Sequence, residues 1–82
     1  NPFNPQPLIK YDLPEAAAVR LEVFNILGQK VATLVNRFEA AGPKSVVWNG
    51  TDERGAKVSS GIYFYKIAGG GFSATKKMML VK

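Results

Sequence analysis

The side chains that could perform catalytic chemistry in this chain are few, and they lie in its last third. The chain has no His and no Cys, so general acid–base catalysis near neutral pH would need a carboxylate or a Lys with a strongly shifted pKa. Ser59 and Ser60 are candidate nucleophiles, with Lys57 as their base. Adjacent serines before a glycine are more typical of a turn, and a chain of 82 residues encloses little interior in which to desolvate a base. We therefore predict that the protein is not an enzyme.

A second group of candidate ligands is the run of side-chain oxygens between Asn49 and Glu53. Clustered oxygens in a loop can bind Ca²⁺, but this loop is shorter than an EF-hand and lacks its alternating acidic spacing. The alternative is a structural turn, in which Asp52 accepts hydrogen bonds from backbone N–H groups and Gly55 adopts a conformation that other residues resist. We favour the turn, and we predict no metal and no cofactor.

Aromatic residues could form a platform that stacks against sugars or single-stranded nucleic acid. The candidates are Trp48, Tyr63, Phe64 and Tyr65. Consecutive strand residues point to opposite faces, so Tyr63 and Tyr65 share one side while Phe64 takes the other. We interpret Trp48, which lies in an apolar run, as the large filler between two sheets.

Strands must position these side chains, because alternating apolar and polar residues dominate the chain. The patterns over Ile9–Leu13 and Val19–Val23 are typical of half-buried strands, and Asn25–Gln29 supplies a turn between the second strand and the next. Turn signals recur about every ten residues, which predicts an all-β, two-sheet sandwich of about seven short strands. Further strands are expected over Lys30–Asn36, Ser45–Trp48, Ile62–Ile67 and Phe72–Val81.

The segment after the Asn25–Gln29 turn also fits a helix. Apolar residues recur there at helical spacing, which supports a helix. Against a helix, Gly28 would cost about 1 kcal/mol inside one long helix. Pro14 and Gly42–Pro43 bracket the segment, and the neighbouring patterns all predict strands. We therefore favour a strand. The residues at helical spacing are Val31, Leu34, Val35 and Phe38.

Basic residues are concentrated at the C-terminal end of the chain. The formal net charge is +5, and residues 54–82 contain six basic residues and no acidic one. Such asymmetry attracts nucleic acid or anionic head groups at a membrane surface. Solvated lysines on ordinary strands are the simpler explanation, which we favour. No segment approaches the roughly 18 apolar residues that cross a membrane, so the protein is not expected to be membrane-spanning.

The N-terminal segment differs in composition from the rest. Residues 1–7 contain three prolines, and each proline restricts its own φ and biases the preceding residue towards extended geometry. We predict a Pro-rich linker from a preceding domain over residues 1–7 and a single β-sandwich domain over residues 8–82. The start at Asn1 suggests a piece of a longer protein.

Short segments along almost the whole chain resemble the C-terminal sorting domain of type IX secretion. Each is weakly specific alone, but their order and spacing together are specific. A related Ig-like domain of flagellar hook-capping proteins shares the Trp-x-Gly-x-Asp-x-x-Gly and Ser-Gly-x-Tyr portions. The matching segments are Asn1–Pro5, Val23–Gln29, Val31–Val35, Ala41–Gly42, Trp48–Gly50, Asp52–Gly55, Val58–Tyr65 and Lys77–Lys82.

This resemblance implies an Ig-like antiparallel β-sandwich that acts as a non-catalytic sorting signal. It would direct a cargo protein through the periplasm to the cell surface or the medium. The implied partners are the outer-membrane type IX machinery and a sortase-like peptidase, which can attach the cargo to anionic lipopolysaccharide. The implied recognition residues are Gly61, Ile62, Tyr63, Tyr65, Lys77, Met78, Leu80, Val81 and Lys82.

Two other functions are alternatives to the sorting signal. A carbohydrate-binding or adhesive sandwich of an extracellular enzyme would use exposed faces of Trp48 or Tyr65. A nucleic-acid binder would use the C-terminal lysines and show a steep salt dependence of affinity. The basic residues lack a recognisable nucleic-acid motif, so we expect no nucleic-acid partner.

Overall fold

The computed structural model describes residues 6–81, which form six β-strands joined by turns. The all-β prediction is confirmed, with one strand fewer than the seven or so expected. The six segments for which the sequence predicted a strand each correspond to one observed strand, and residues 48–60 form no strand but contain an isolated bridge between Thr51 and Lys57. The strands are β1 (Leu8–Leu13), β2 (Ala17–Phe24), β3 (Lys30–Glu39), β4 (Gly42–Val47), β5 (Gly61–Gly69) and β6 (Phe72–Leu80).

The strands form two antiparallel sheets. The smaller sheet pairs β1 with β4, and the larger has the order β3-β2-β5-β6. In the larger sheet β2 and β5 are central, and each is paired on both sides. Every apolar side chain on the inner face of a sheet can then be covered by the other sheet, which is the arrangement that a sandwich requires.

The alternating pattern of β2 explains why this strand forms the centre of the core. Val19, Leu21 and Val23 are at most 2 % exposed, whereas the intervening residues Arg20 and Glu22 point away from the core. Fully burying one such aliphatic side chain contributes about 1.5–3 kcal/mol relative to leaving it exposed. The sequence pattern of β2 therefore fixes which face of the sheet is inside.

Buried side chains group into two clusters along the sandwich. We call the first the aliphatic cluster, because it contains no aromatic residue among its fully buried members. The second is the aromatic cluster, built around a tryptophan and a tyrosine. The aliphatic cluster comprises Ile9, Leu13, Val19, Leu21, Val35 and Ile67, and the aromatic cluster comprises Val23, Trp48, Tyr63 and Leu80.

The segment with two possible secondary structures is strand β3, as favoured. A helix would place Val35 and Phe38 on one face, but Val35 is 2 % exposed and Phe38 is 71 % exposed. The pairing of β3 with β2 shifts register twice, between Leu21 and Glu22 and again between Val23 and Phe24. The apolar residues of β3 do not alternate strictly with polar ones. The register shifts change the direction of successive side chains, so that these apolar residues still face the core.

The predicted turn after β2 is present, and its conformation explains its sequence. Gly28 has a φ of +81°, a value that glycine adopts without steric cost. The hairpin between β5 and β6 closes in the same way, because Gly70 and Gly71 both have positive φ between the paired residues Gly69 and Phe72. Both turns are thus set by glycine at the positions that need it.

The predicted boundary between linker and domain falls at the start of the described residues. Residues 1–5 of the predicted linker lie outside the described residues. The backbone oxygen of Pro7 accepts a hydrogen bond from the Trp48 amide at 3.1 Å, so the chain is already tied to the sandwich one residue before β1. The linker over residues 1–7 stays a prediction.

Candidate functional site

The side chains considered for catalysis do not form a desolvated site. Within residues 6–81 no polar or charged residue is buried, and no group of three or more His, Cys, Asp or Glu residues could hold a metal ion. The backbone oxygen of Ser59 accepts a hydrogen bond from the Tyr63 hydroxyl at 2.7 Å, and Ser59 and Ser60 precede β5 in an exposed bend. These serines belong to the turn that leads into β5.

The loop considered for calcium directs its central carboxylate at its own backbone. Asp52 Oδ1 accepts hydrogen bonds from the amides of Arg54 at 2.9 Å and Ala56 at 3.0 Å. Gly55 has a φ of +84°, and the Glu53 amide donates to the Val31 oxygen at 3.1 Å. These hydrogen bonds close the loop and attach it to β3, as expected of a structural turn.

The aromatic residues considered as a ligand platform are mostly core. Trp48 is completely inaccessible, and its Nε1 donates to the Thr51 oxygen at 3.0 Å. Its ring meets that of Tyr63 edge-on, with centroids 4.9 Å apart and planes at 70°. Tyr65 shares this inner side and packs against the aliphatic cluster. A sugar ring could not reach Trp48 without unfolding the domain.

The residues that the resemblance assigned to a sorting signal meet across the β5–β6 hairpin. Gly61 pairs with Leu80, and Tyr63 pairs with Met78. Tyr63 and Leu80 are 6 % and 3 % exposed and belong to the aromatic cluster, so their apolar character is explained by packing. The exposed members are Lys77 and Val81; Lys82 lies outside the described residues.

A polar group that sequence reasoning missed joins the two sheets beside the aliphatic cluster. The hydroxyl of Tyr11 in β1 donates to Glu39 Oε1 at 2.6 Å, and Arg37 Nη2 lies 3.0 Å from Glu39 Oε2. Burial, then the hydrogen bond to Glu39 and the negative charge of that residue, raise the pKa of Tyr11 to about 12. No local sequence signal links these residues, because Tyr11 and Glu39 are 28 positions apart.

The turn after β2, which we call the apolar turn (Asn25–Gln29), presents two large side chains to solvent. Ile26 is 71 % and Leu27 is 77 % exposed. Asn25 holds the turn rigidly, because its Oδ1 accepts hydrogen bonds from the amides of Leu27 at 2.9 Å and Gln29 at 3.0 Å. The sequence predicted this turn but not that it would hold apolar side chains outward.

The outward-facing side of the larger sheet continues from this turn. Phe24 pairs with Phe64 across β2 and β5, and the row is completed by Lys30 on β3 and Lys77 on β6. Next to it, towards the end of the sheet, Ile62 pairs with Met79, which is 60 % exposed. We call this surface the aromatic patch; it comprises Phe24, Ile26, Ile62, Phe64 and Met79.

Two open hollows flank the apolar turn. One, of about 230 Å³, lies on the outer side of the sheet and is lined by Phe24, Ile26, Phe64 and Lys66 among others. The other, of about 400 Å³, lies at the end of the sandwich between Leu27 and the residues that begin β5. Side chains of the turn therefore stand between two concave surfaces.

Comparison with known proteins identifies the family of this sandwich. Residues 6–71 match the sequence profile of the FlgD Ig-like domain. The chain belongs to the FlgD Ig-like domain family. The crystal structure of FlgD from P. aeruginosa superposes with a TM-score of 0.70 at 23 % sequence identity, over 88 % of this chain. The Ig-like fold is thereby confirmed, and no curated protein matches the chain.

The likeness to P. aeruginosa FlgD concerns only part of that protein. This chain spans 57 % of the FlgD chain that it matches. Within residues 6–81 there is no helix long and apolar enough to cross a membrane.

The predicted function as a type IX sorting signal is wrong. The matching family is the FlgD Ig-like domain, and the shared segments that suggested sorting, such as Trp48–Gly50 and Asp52–Gly55, are the ones that build the core and its turns. The match ends at residue 71, so it gives no support to a role for the terminal residues 77–82. The alternative of a carbohydrate-binding module is also wrong, because the chain matches the FlgD Ig-like domain family; Trp48, one of the two residues assigned to sugar binding, is buried.

Proposed function

We propose that the chain is a non-catalytic Ig-like module of a flagellar hook-capping protein of the FlgD type, acting through contacts with other protein surfaces during assembly. The observation that carries the proposal is the family match over residues 6–71, together with the fold shared with P. aeruginosa FlgD. It is supported by exposed apolar side chains at a rigid turn and by the lack of buried polar or charged residues within residues 6–81. Docking needs such a surface, whereas catalysis needs desolvated polar groups.

The experiment is deletion of the coding sequence for residues 6–81 in the organism that encodes the chain. The expected result is a loss or shortening of hooks on the cell surface, counted by electron microscopy, together with a loss of swimming. Reintroducing the unaltered gene should restore both. Normal hooks after the deletion, or a source organism that builds no hook, would overturn the proposal.

A matched variant separates assembly from catalysis. The triple substitution Lys57→Ala, Ser59→Ala and Ser60→Ala removes the side chains that could act as base and nucleophiles, all of which are exposed. We expect hooks of normal number and length in this strain, because the module works by surface contact. Hook loss in the triple variant, with the purified domain still folded by circular dichroism, would contradict a non-catalytic role.

A further inference from the structure

We propose that the aromatic patch binds an acidic segment of another protein that also carries apolar side chains. Lys66 and Lys77, which border the patch, would supply the charge that selects the segment. The inference rests on the proposed function in taking the domain to be a protein-docking module. It adds the surface that docks and the chemistry of what docks there.

The apolar part of the patch is larger than the fold requires. Single exposed apolar residues are ordinary on protein surfaces, but a contiguous group marks an interaction site. Phe24 and Phe64 are half-buried neighbours across the two central strands, and the half-buried Ile62 and the exposed Met79 extend the group to the end of the sheet. The inner faces of the same strands already supply the core, so these outward side chains are not needed to fill it.

The two lysines that border the patch form no ion pair within residues 6–81, although Lys66 lies opposite Glu22 in the β2–β5 register. Glu22, the one acidic residue on the outer face of the larger sheet, lies 3.7 Å from Lys30 Nζ and 3.9 Å from Arg20 Nη1. Within residues 6–81 neither Lys66 nor Lys77 forms an ion pair. Two ammonium groups beside an apolar floor fit a partner that presents carboxylates next to apolar side chains.

The same charges decide between possible occupants. A second copy of this chain would bring lysines against lysines, which like-charge repulsion opposes. A lipid surface would engage the lysines but would leave unfilled the hollow of about 230 Å³ lined by Phe24, Ile26, Phe64 and Lys66. A polypeptide can place an apolar side chain in that hollow and a carboxylate near Lys66.

The experiment is an NMR titration of the 82-residue chain with a short synthetic peptide of alternating Leu and Glu. The expected result is a set of amide shift changes confined to the patch and the apolar turn, with none in β1 or β4. A peptide of alternating Leu and Lys should produce no such changes. Shift changes elsewhere, equal binding of the basic peptide, or self-association through the patch would overturn the proposal.

Two pairs of variants test the two halves of the patch. Ile26→Ser should lower the affinity for the Leu–Glu peptide by about tenfold. Phe38 is equally exposed, at 71 %, but lies outside the patch, so Phe38→Ser should leave the affinity unchanged. Changing both Lys66 and Lys77 to Gln should lower the affinity for the peptide by a similar factor, whereas changing both Lys10 and Lys57 to Gln should leave that affinity unchanged. Equal losses within either pair would contradict the assignment.

A last arm distinguishes a membrane from a protein. Vesicles of phosphatidylglycerol that bind the chain through the patch, in the absence of any binding to the Leu–Glu peptide, would overturn the proposal in favour of a lipid surface. The hook deletion tests a different statement. Peptide binding at the patch together with normal hooks after the deletion would refute only the proposed hook-capping function. Hook loss without peptide binding would refute only the proposed chemistry of the partner.

Discussion

The two clusters of the core are held by different kinds of interaction. In the aromatic cluster each ring carries a polar group that bonds to a loop: Trp48 Nε1 to the Thr51 oxygen, and the Tyr63 hydroxyl to the Ser59 oxygen. The aliphatic cluster has no polar group among its fully buried members, and its nearest polar contact, between Tyr11 and Glu39, lies at the margin. Apolar packing alone stabilises the buried part of the aliphatic cluster, whereas packing and hydrogen bonds together stabilise the aromatic cluster.

This difference shows how a small domain without cysteines can order its loops. Residues 48–60 form no strand, yet their backbone oxygens at Thr51 and Ser59 accept hydrogen bonds from buried rings. Because aromatic residues combine a large apolar surface with a polar edge, they can anchor a loop and fill the core together. Leu or Val could do only the second.

The largest expected effect is the loss of the central ring in the aromatic cluster. Trp48→Ala should lower the free energy of unfolding by about 3–5 kcal/mol, the range for a buried aromatic side chain, and release the hydrogen bond to Thr51. Since a domain of this kind has about 5–15 kcal/mol in total, the variant should lose a large fraction of its stability and unfold at a markedly lower urea concentration. Urea denaturation followed by circular dichroism measures the change.

The control for this prediction is a deletion of similar burial in the aliphatic cluster. Leu21 is also completely inaccessible, and Leu21→Ala should cost about 2–5 kcal/mol. Only Trp48→Ala should also raise the hydrogen exchange of the amides at residues 51–58. Equal exchange in both variants would show that the ring does not anchor the loop.

A smaller effect is expected when only the polar edge is removed. Tyr63→Phe keeps the ring and deletes the hydrogen bond to Ser59, so the free energy of unfolding should fall by about 0.5–1.5 kcal/mol. The matched control is Tyr65→Phe, since the Tyr65 hydroxyl forms no hydrogen bond within residues 6–81. A thermal or urea midpoint that moves equally in the two variants would mean that the Ser59 contact contributes nothing.

The smallest effect concerns the margin of the aliphatic cluster and depends on pH. The pKa of Tyr11 is raised from 10.0 to about 12 in the folded protein, so folding favours the protonated phenol. Its contribution to stability is complete below pH 10 and is lost as the pH rises from 10 to 12. The urea midpoint should therefore fall across this interval more steeply in the unaltered protein than in Tyr11→Phe. Parallel curves would contradict the raised pKa.

Local patterns predicted the strands well but not what the strands bring together. The β5 pattern over Ile62–Ile67 corresponds to the strand Gly61–Gly69, because β-branched and aromatic residues between glycines leave little alternative. Trp48 as core filler followed from its apolar surroundings. Strand order, in contrast, depends on pairing between distant residues, and nothing within a window of ten residues encodes it.

The candidate site belongs to the part that could not be predicted. Phe24 and Phe64 become neighbours only through the β2–β5 register, and the contact of Tyr11 with Glu39 requires two sheets to be stacked. The family resemblance pointed to the right fold but the wrong function. Its Trp-x-Gly-x-Asp-x-x-Gly segment specifies the turn around Asp52 and Gly55 and carries no information about the partner.

The two-glycine turn between β5 and β6 has a consequence for the order in which the chain folds. Positive φ at both Gly70 and Gly71 matches the twist of the adjoining strands, so this hairpin can close within about 1–10 μs. Strand β1 pairs Leu8 with Val47 and must wait for a far longer loop to close. We expect Ile67→Val to slow folding and Ile9→Val mainly to speed unfolding in stopped-flow experiments. During synthesis, β1 leaves the ribosome before the other strands of this domain and would then be among the last of them to find its partner.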